Sequence, residues 1–231
     1  QGLRALALNN LGRVLENLSR LDEASALLER SLDLDPEQPE VIQHWIHLRQ
    51  KQCQWPVYPV RDDIPLHRMQ QATSPLALLG LSDNPRRQLE AAERFVQKRL
   101  PAEPDRPLCD PGGYRHDRLR IGYLSSDFCL HPVSLLTAEM FELHDRDAFE
   151  IHGFCWSRED GSPLRRRIVD SFDHYIPVGG MDDRAAAECI RAREIDILID
   201  LQGLTSGARP RILSLRPAPV QAGYLGFPGT S

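Results

Sequence analysis

The stretch Leu119-Arg-Ile-Gly-Tyr-Leu-Ser-Ser-Asp-Phe-Cys-Leu-His-Pro-Val-Ser134 constrains the fold of this chain more than any other. Its first part is apolar and bounded by polar residues, the pattern of a strand buried on both faces in a parallel sheet. Ser125, Ser126 and Asp127 end that strand, and Pro132 stands where a first helical position would be, its ring already fixing φ. From Val133 to Leu143 the apolar residues recur at helical spacing. The expected unit is strand, short polar loop and helix, with His131 on the loop at the strand's carboxyl end. Ligands bind along that edge in open α/β sheets.

The alternation continues beyond this unit. Strands are predicted over 119–125, 149–156, 174–178, 195–201 and 219–225, and helices over 133–143, 164–172, 182–193 and 208–215. Strands alternating with helices of about 10 to 15 residues imply βαβ units and a parallel sheet covered on both faces. Ile195-Asp-Ile-Leu-Ile-Asp-Leu201, rich in β-branched residues and followed by Gly203, is the best central strand.

Earlier in the chain the periodicity is helical. Residues 5–38 fit one 34-residue helix–turn–helix repeat of the tetratricopeptide type. Leu8, Leu11, Gly12 and Leu15 lie on its first helix, Ala24, Leu28 and Ser31 on its second, and Pro36 closes it. One repeat cannot bury its own faces, so the chain is expected to begin within a solenoid. A further helix from Pro39 to Gln52 would cap it, with Trp45, Ile46 and Leu48 on the buried side. His44 and His47 on that helix read as surface or cap positions rather than metal ligands, since no third ligand is near. Pro56, Pro59 and Pro65 keep the next stretch irregular, and short helices are predicted over 74–80 and 85–100. Leu100–Gly113 reads as a Pro/Gly-rich linker or surface loop at a domain boundary. The expected organisation is a repeat with its capping helix (1–52), a helical and irregular linker (53–118) and an α/β lobe (119–231).

A net charge of −5 without basic tails or Lys/Arg stripes argues against nucleic acid or an anionic membrane as partner. No apolar run approaches the roughly 20 residues that span a bilayer, and the first residues do not read as a signal peptide. Five scattered cysteines (Cys53, Cys109, Cys129, Cys155 and Cys189), with no CxxC pair, suggest a reduced, cytoplasmic protein without a structural metal.

No GxGxxG follows the first strand, and no GxxxxGK[ST], GxSxG or HExxH occurs, so dinucleotide, P-loop, hydrolase-elbow and zincin chemistries lack support. Polar and Gly-rich loops remain at the carboxyl ends of successive strands: Ser125–His131, Ser157–Ser162, Gly203–Arg209 and Gly226–Ser231. Four such loops on one edge make a ligand cleft by topology alone. His131 has the side chain whose ordinary pKa suits proton transfer near neutrality; it could equally cap the following helix or pack on Pro132. Asp160 could orient a histidine or relay a proton through water, or simply make a turn. Arg209, at the start of a helix, could meet a phosphate or carboxylate, or be salt-bridged. His174 enters a strand rather than leaving one and reads as structural.

A helical repeat followed by an α/β sheet, with the particular strings in each, resembles the O-linked N-acetylglucosamine transferases, glycosyltransferase family 41, over nearly the whole chain. The specific strings are Leu119–Pro132, Gly203-Leu-Thr-Ser-Gly-Ala-Arg209 and Leu215-Arg-Pro-Ala-Pro-Val-Gln-Ala222, the last running into Gly223-Tyr-Leu-Gly-Phe-Pro-Gly-Thr230. Cys53-Gln-Trp-Pro-Val-Tyr58 resembles the family's junction between solenoid and catalytic region. The short solenoid and compact linker look more like a bacterial member than an animal one.

The resemblance implies a GT-B enzyme, two Rossmann-like lobes with the active site between them. It implies UDP-N-acetylglucosamine (UDP-GlcNAc) as donor, a polypeptide Ser or Thr hydroxyl as acceptor, and inverting transfer without metal or cofactor. His131 and Pro132 match the family's His-Pro position beside the donor sugar, where the histidine is a candidate base. Asp160 falls at an acidic position able to receive the proton through water, so the resemblance offers two candidates. Leu225, Gly226, Phe227 and Pro228 match a loop lining the sugar site, and Arg209 matches a cleft arginine. Cys129 and Leu130 stand where animal members have Gly-Asn, and Leu204 and Ser206 replace a Tyr and a Lys in the cleft loop, which bears on acceptor preference. By the family pattern these residues form the amino-terminal lobe; the carboxyl-terminal lobe, which holds uridine, diphosphate and a leaving-group lysine, lies outside the sequence. Alone, they are not expected to turn over. Plant fucosyl-transferring relatives share the architecture, so another nucleotide sugar stays open, as does a non-catalytic repeat scaffold with a degenerate lobe.

Overall fold

The computed structural model describes residues 2–100, 106–109 and 112–229. Much of the predicted 100–113 linker, and the last two residues of the predicted Gly226–Ser231 loop, lie outside them. The chain divides into two compact units, 1–91 and 92–231, so the segment 53–118 is shared between the two.

The first unit is helical. α1 (Gly2–Asn17) and α2 (Leu21–Leu34) form a hairpin across a three-residue turn, followed by α3 (Pro39–Lys51), α4 (Leu66–Ala72) and α5 (Pro75–Leu79). α6 (Pro85–Gln97) begins in this unit and crosses the division at Ala91. Proline occupies the first turn of α3 and α5, where its missing N–H has no partner to lose. Ser74 caps α5 by accepting from the Ala77 N–H, and Asn84 Oδ1 accepts from the Arg86 N–H at the start of α6. Leu28, Leu32, Ile42, Trp45, Ile46 and Met69 share one core. α4, directly after Pro65, is a helix not among those predicted. Pro65 fixes the entry to that helix and Met69 supplies its buried contact, so tertiary burial rather than local periodicity forms it. His44 pairs with Glu16 at 3.2 Å.

The second unit holds β1 (Leu119–Ser125), α7 (Pro132–Glu142), β2 (Phe149–Cys155), α8 (Pro163–Asp170), β3 (His174–Pro177), α9 (Asp183–Ala192), β4 (Ile197–Asp200), α10 (Pro210–Ser214) and β5 (Val220–Gly223). Each predicted strand and helix of the lobe is present: β1 has the predicted bounds, α7 and α8 begin one residue earlier at their prolines, and the other elements are shorter by one to three residues in all. The five strands pair in parallel in the order β3-β2-β1-β4-β5. Because side chains alternate across a strand, β1 sends Ile121 and Tyr123 to one face and Leu124 to the other. The first face packs against Phe128, Phe141, Ile168 and Phe172, and the second against Ala186, Ile190 and Ile212. Phe128, Phe141 and Phe172 meet with centroids 4.9 to 5.8 Å apart, in tilted or edge contacts. This triad lies directly beneath the loop that carries His131.

Phe141 and Leu135 lie on the same helix, one fully buried and one 65% exposed. Phe141→Ala is expected to lower unfolding free energy by about 3–5 kcal/mol, and Leu135→Ala to change it by less than about 0.5 kcal/mol. Urea melts of the two variants check the pair.

Candidate functional site at the carboxyl edge of the sheet

The polar loop after β1 is built on its own side chains. The Asp127 N–H donates to Ser125 Oγ at 3.0 Å, the Cys129 N–H donates to the Asp127 carbonyl at 2.8 Å, and the Ser134 hydroxyl donates back to the same carbonyl. Phe128, fully buried, anchors the loop in the aromatic triad. His131 then takes the N-cap of α7, its Nδ1 accepting from the Val133 N–H at 3.3 Å and lying 3.6 Å from Asp127 Oδ2. The capping role left open from the sequence is therefore the one its Nδ1 performs. The side chain remains 42% exposed. Pro132 occupies the first helical position as expected.

Asp160 makes a turn and does more. Oδ1 accepts from the Ser162 N–H at 3.0 Å, and Oδ2 accepts at 2.7 Å from the N–H of Leu130, the residue preceding His131. These N–H groups, Leu130 first, hold the Asp160 carboxyl below the usual carboxylate range. Asp160 and His131 thus belong to loops that are directly bonded to one another.

The deeper fastening is Arg165, on α8 and 6% exposed. Its Nη1 donates to the Phe128 carbonyl and to Ser157 Oγ, both at 2.6 Å; Nε donates to Glu159 Oε2 at 2.7 Å and Nη2 to the Tyr175 hydroxyl at 2.9 Å. One guanidinium clamps the His131 loop to the Asp160 loop. The sequence does not single it out, because in Leu164-Arg-Arg-Arg167 it is indistinguishable from two exposed neighbours. A helical period placing position 165 with Ile168 on the inner face was the signal available.

Gln202, also buried, ties in the loop after β4. Its Oε1 accepts from the Ser126 N–H at 3.1 Å and hydroxyl at 2.7 Å, while Nε2 donates to Thr205 Oγ1 at 2.8 Å. The last loop docks against the same place. Gly203 has φ +57°, and a Cβ there would fall 2.3 Å from Phe227 Cβ; a Cβ on Gly226 would fall 1.8 Å from the Leu201 carbonyl oxygen. Only glycine permits this approach. Leu225 takes a left-handed φ of 61° and Pro228 is exposed at the turn. The four loops expected at one rim are joined there.

Arg209 is committed elsewhere. Nε donates to Asp183 at 2.6 Å, Nη1 to the Val178 carbonyl at 3.0 Å and Nη2 to the Met181 carbonyl at 2.7 Å, with the guanidinium carbon 5.6 Å from the Trp156 ring centre. Arg209 is thus salt-bridged, with each guanidinium nitrogen making one bond within the lobe. A cavity of about 320 Å³ lies beside it, lined by Leu124, Trp156, Asp200, Gln202 and Arg209 among others. Its lining also includes Val96 of α6, Leu213 of α10 and Ala222 of β5, and does not include His131, Asp160 or the Leu225–Pro228 turn. Gln202 and Gly203 connect it to the rim. Burial pushes the Asp200 carboxyl up, against the Gln202 and Gly203 N–H groups that it accepts. Asp200 was likewise not foreseen, since within Ile195–Leu201 it reads only as the polar end of a strand.

Arg165→Lys is expected to cost about 1.5–3 kcal/mol, because an ammonium cannot serve four partners spread around a planar fork. Arg166→Lys on the exposed side should stay within about 0.5 kcal/mol. Chemical denaturation of both variants checks the difference.

A probable UDP-N-acetylglucosamine–peptide N-acetylglucosaminyltransferase, SEC, from Arabidopsis thaliana is 42% identical over 125 residues, 54% of this chain and 13% of that protein. The UDP-N-acetylglucosamine–peptide N-acetylglucosaminyltransferase of Caenorhabditis elegans is 42% identical over 115 residues, 49% of this chain and 10% of its own length. A solved structure of an O-GlcNAc transferase mutant from Thermobaculum terrenum superposes with a TM-score of 0.72 at 27% identity, covering 96% of this chain and 44% of that one. The chain therefore spans a small part of these curated relatives and less than half of the solved one. The family described as glycosyl transferase family 41 matches residues 110–231, more than half of the chain and all four rim loops. The chain belongs to glycosyl transferase family 41.

Proposed function

We propose that these residues form the repeat-bearing, amino-terminal part of an enzyme that transfers N-acetylglucosamine from UDP-GlcNAc to Ser or Thr hydroxyls of polypeptides. Transfer inverts the anomeric carbon and uses no metal at the reacting centre. The observation that carries this reading is the fastening of the His131 loop to the Asp160 loop, through Leu130 N–H and Arg165, at the sheet edge where ligands bind. Relatives named for UDP-N-acetylglucosamine and a peptide support that donor and a polypeptide acceptor.

On this reading α1 and α2 are one tetratricopeptide repeat. Gly12 supports it, since a Cβ there would fall 2.8 Å from Leu28 Cδ2, as does the Ser31 hydroxyl donating to the Ala5 carbonyl at 2.9 Å: small residues let the helices cross closely. The α/β unit is one Rossmann-like lobe of a GT-B pair. Arg165 and Arg209 are both engaged within it, so charge compensation for the departing diphosphate falls to the second lobe.

The acceptor oxygen bonds to the anomeric carbon as the bond from that carbon to the diphosphate oxygen breaks, and the hydroxyl proton must leave. Nδ1 of His131 accepts from Val133 N–H, so the neutral ring carries its proton on Nε2 and is a donor there. That supports a positioning role for His131 at the sugar and gives the proton, through water, to the ionised Asp160. The Leu225–Pro228 turn lines the sugar.

In the complete protein, His131→Ala and Asp160→Asn are each expected to lower kcat at least about tenfold without unfolding. Because Asp160 is held below the ordinary carboxylate range, its base form persists as pH falls, and kcat/KM should stay flat from about pH 8 to about pH 5. Steady-state assays with UDP-GlcNAc and peptides check both. A fall in kcat/KM within that range as pH is lowered would take the proton away from Asp160, and wild-type turnover in His131→Ala would remove His131 from the mechanism.

A further inference from the structure

At the opposite end of the same strands, parallel pairing sets His152 of β2 beside His174 of β3. Glu150 precedes His152 by two residues and so shares its face of the strand. His174 Nε2 lies 2.8 Å from Glu150 Oε1, and His152 Nε2 lies 3.6 Å from the same oxygen. The two imidazoles stack with centroids 4.5 Å apart. One ligand atom from each of the three residues falls within 4.8 Å of the others.

His152 is the telling member. It is 4% exposed, and among the described residues neither ring nitrogen has a hydrogen-bond partner. A buried, unpaired imidazole is costly and calls for an explanation. Its neighbours suggest one. Glu150 Oε2 accepts from Arg120 Nε at 3.2 Å, which orients the carboxylate and leaves Oε1 toward the histidines. His174 is half exposed and gives a path from solvent. Ligand atoms around a tetrahedral zinc ion stand about 3.3 Å apart, and the 2.8 and 3.6 Å separations bracket that value.

We propose that Glu150, His152 and His174 form a binding site for a divalent transition metal of the zinc class at the amino end of β2 and β3. Two imidazoles and one carboxylate are a borderline donor set suited to Zn²⁺ and Co²⁺ rather than Mg²⁺ or Ca²⁺, with a fourth position open to water. The site is at the far edge of the sheet from His131, and its role is to brace the β2–β3 pair, independent of sugar transfer.

The test is calorimetric titration of the metal-stripped chain with Zn²⁺, with visible spectroscopy of the Co²⁺ form. One ion per chain, a tetrahedral Co²⁺ band and a metal-dependent rise in Tm are expected. His174→Ala, at the exposed ligand, and Glu150→Gln should each weaken binding at least about tenfold, with circular dichroism showing that both still fold. Absence of binding by the wild-type chain, a Mg²⁺ response equal to that for Zn²⁺, or binding that both variants leave unchanged would overturn the proposal.

Discussion

The guanidinium of Arg165 is the interaction on which the rim depends. Loops at a sheet edge have few apolar contacts of their own, and without cross-bonds they would sample many arrangements. Arg165 replaces that freedom with four hydrogen bonds in one plane, to Phe128, Ser157, Glu159 and Tyr175. Burial strengthens each, and the exposed Glu159 supplies the counter-charge. The aromatic triad holds the ring of the same Phe128 whose carbonyl Arg165 bonds, so that loop is held between a packed floor and a polar clamp. Asp160 and Gln202 add the lateral ties. The site is thus a property of contacts between βαβ units rather than of any one loop.

Much of the lobe was legible because parallel strands are apolar throughout and their helices begin at recognisable residues. Pro132, Pro163 and Pro210 each stand in the first turn of a helix, and Ser162 and Asp182 cap α8 and α9. The loops could be placed for the same reason, since they lie wherever such a strand ends. What periodicity could not reveal was which polar residues turn inward. Arg165 stands next to Arg166 and Arg167 in the sequence, and only packing separates the buried one from the exposed two. Arg209 looked open for an anion and is enclosed by Asp183 and two carbonyls from a distant loop. His174 read as structural, yet its partners lie on β2, 22 and 24 residues away in the chain, and become visible only once the strand register is known. α4 was hidden because a seven-residue helix among prolines has too little sequence to show a period.

The two edges of the sheet divide the polar residues into separate tasks. At the carboxyl edge, glycines and short polar side chains bring backbone N–H groups and His131 together, where the proposed function places the sugar and its acceptor. At the amino edge, Glu150, His152 and His174 gather nitrogen and carboxylate donors with a buried ring left unpaired, suited to a metal. The core between them is apolar on both faces, so a structural ion at one edge need not perturb proton transfer at the other.

The most direct measurement of the central claim is an experimental structure of the complete protein with UDP-GlcNAc bound. The account predicts that the sugar ring contacts the His131 side chain, within about 4 Å, with the Leu130–Asp160 and Arg165–Phe128 bonds intact. A sugar seated in the cavity beside Arg209 and α10, out of reach of both His131 and Asp160, would contradict it.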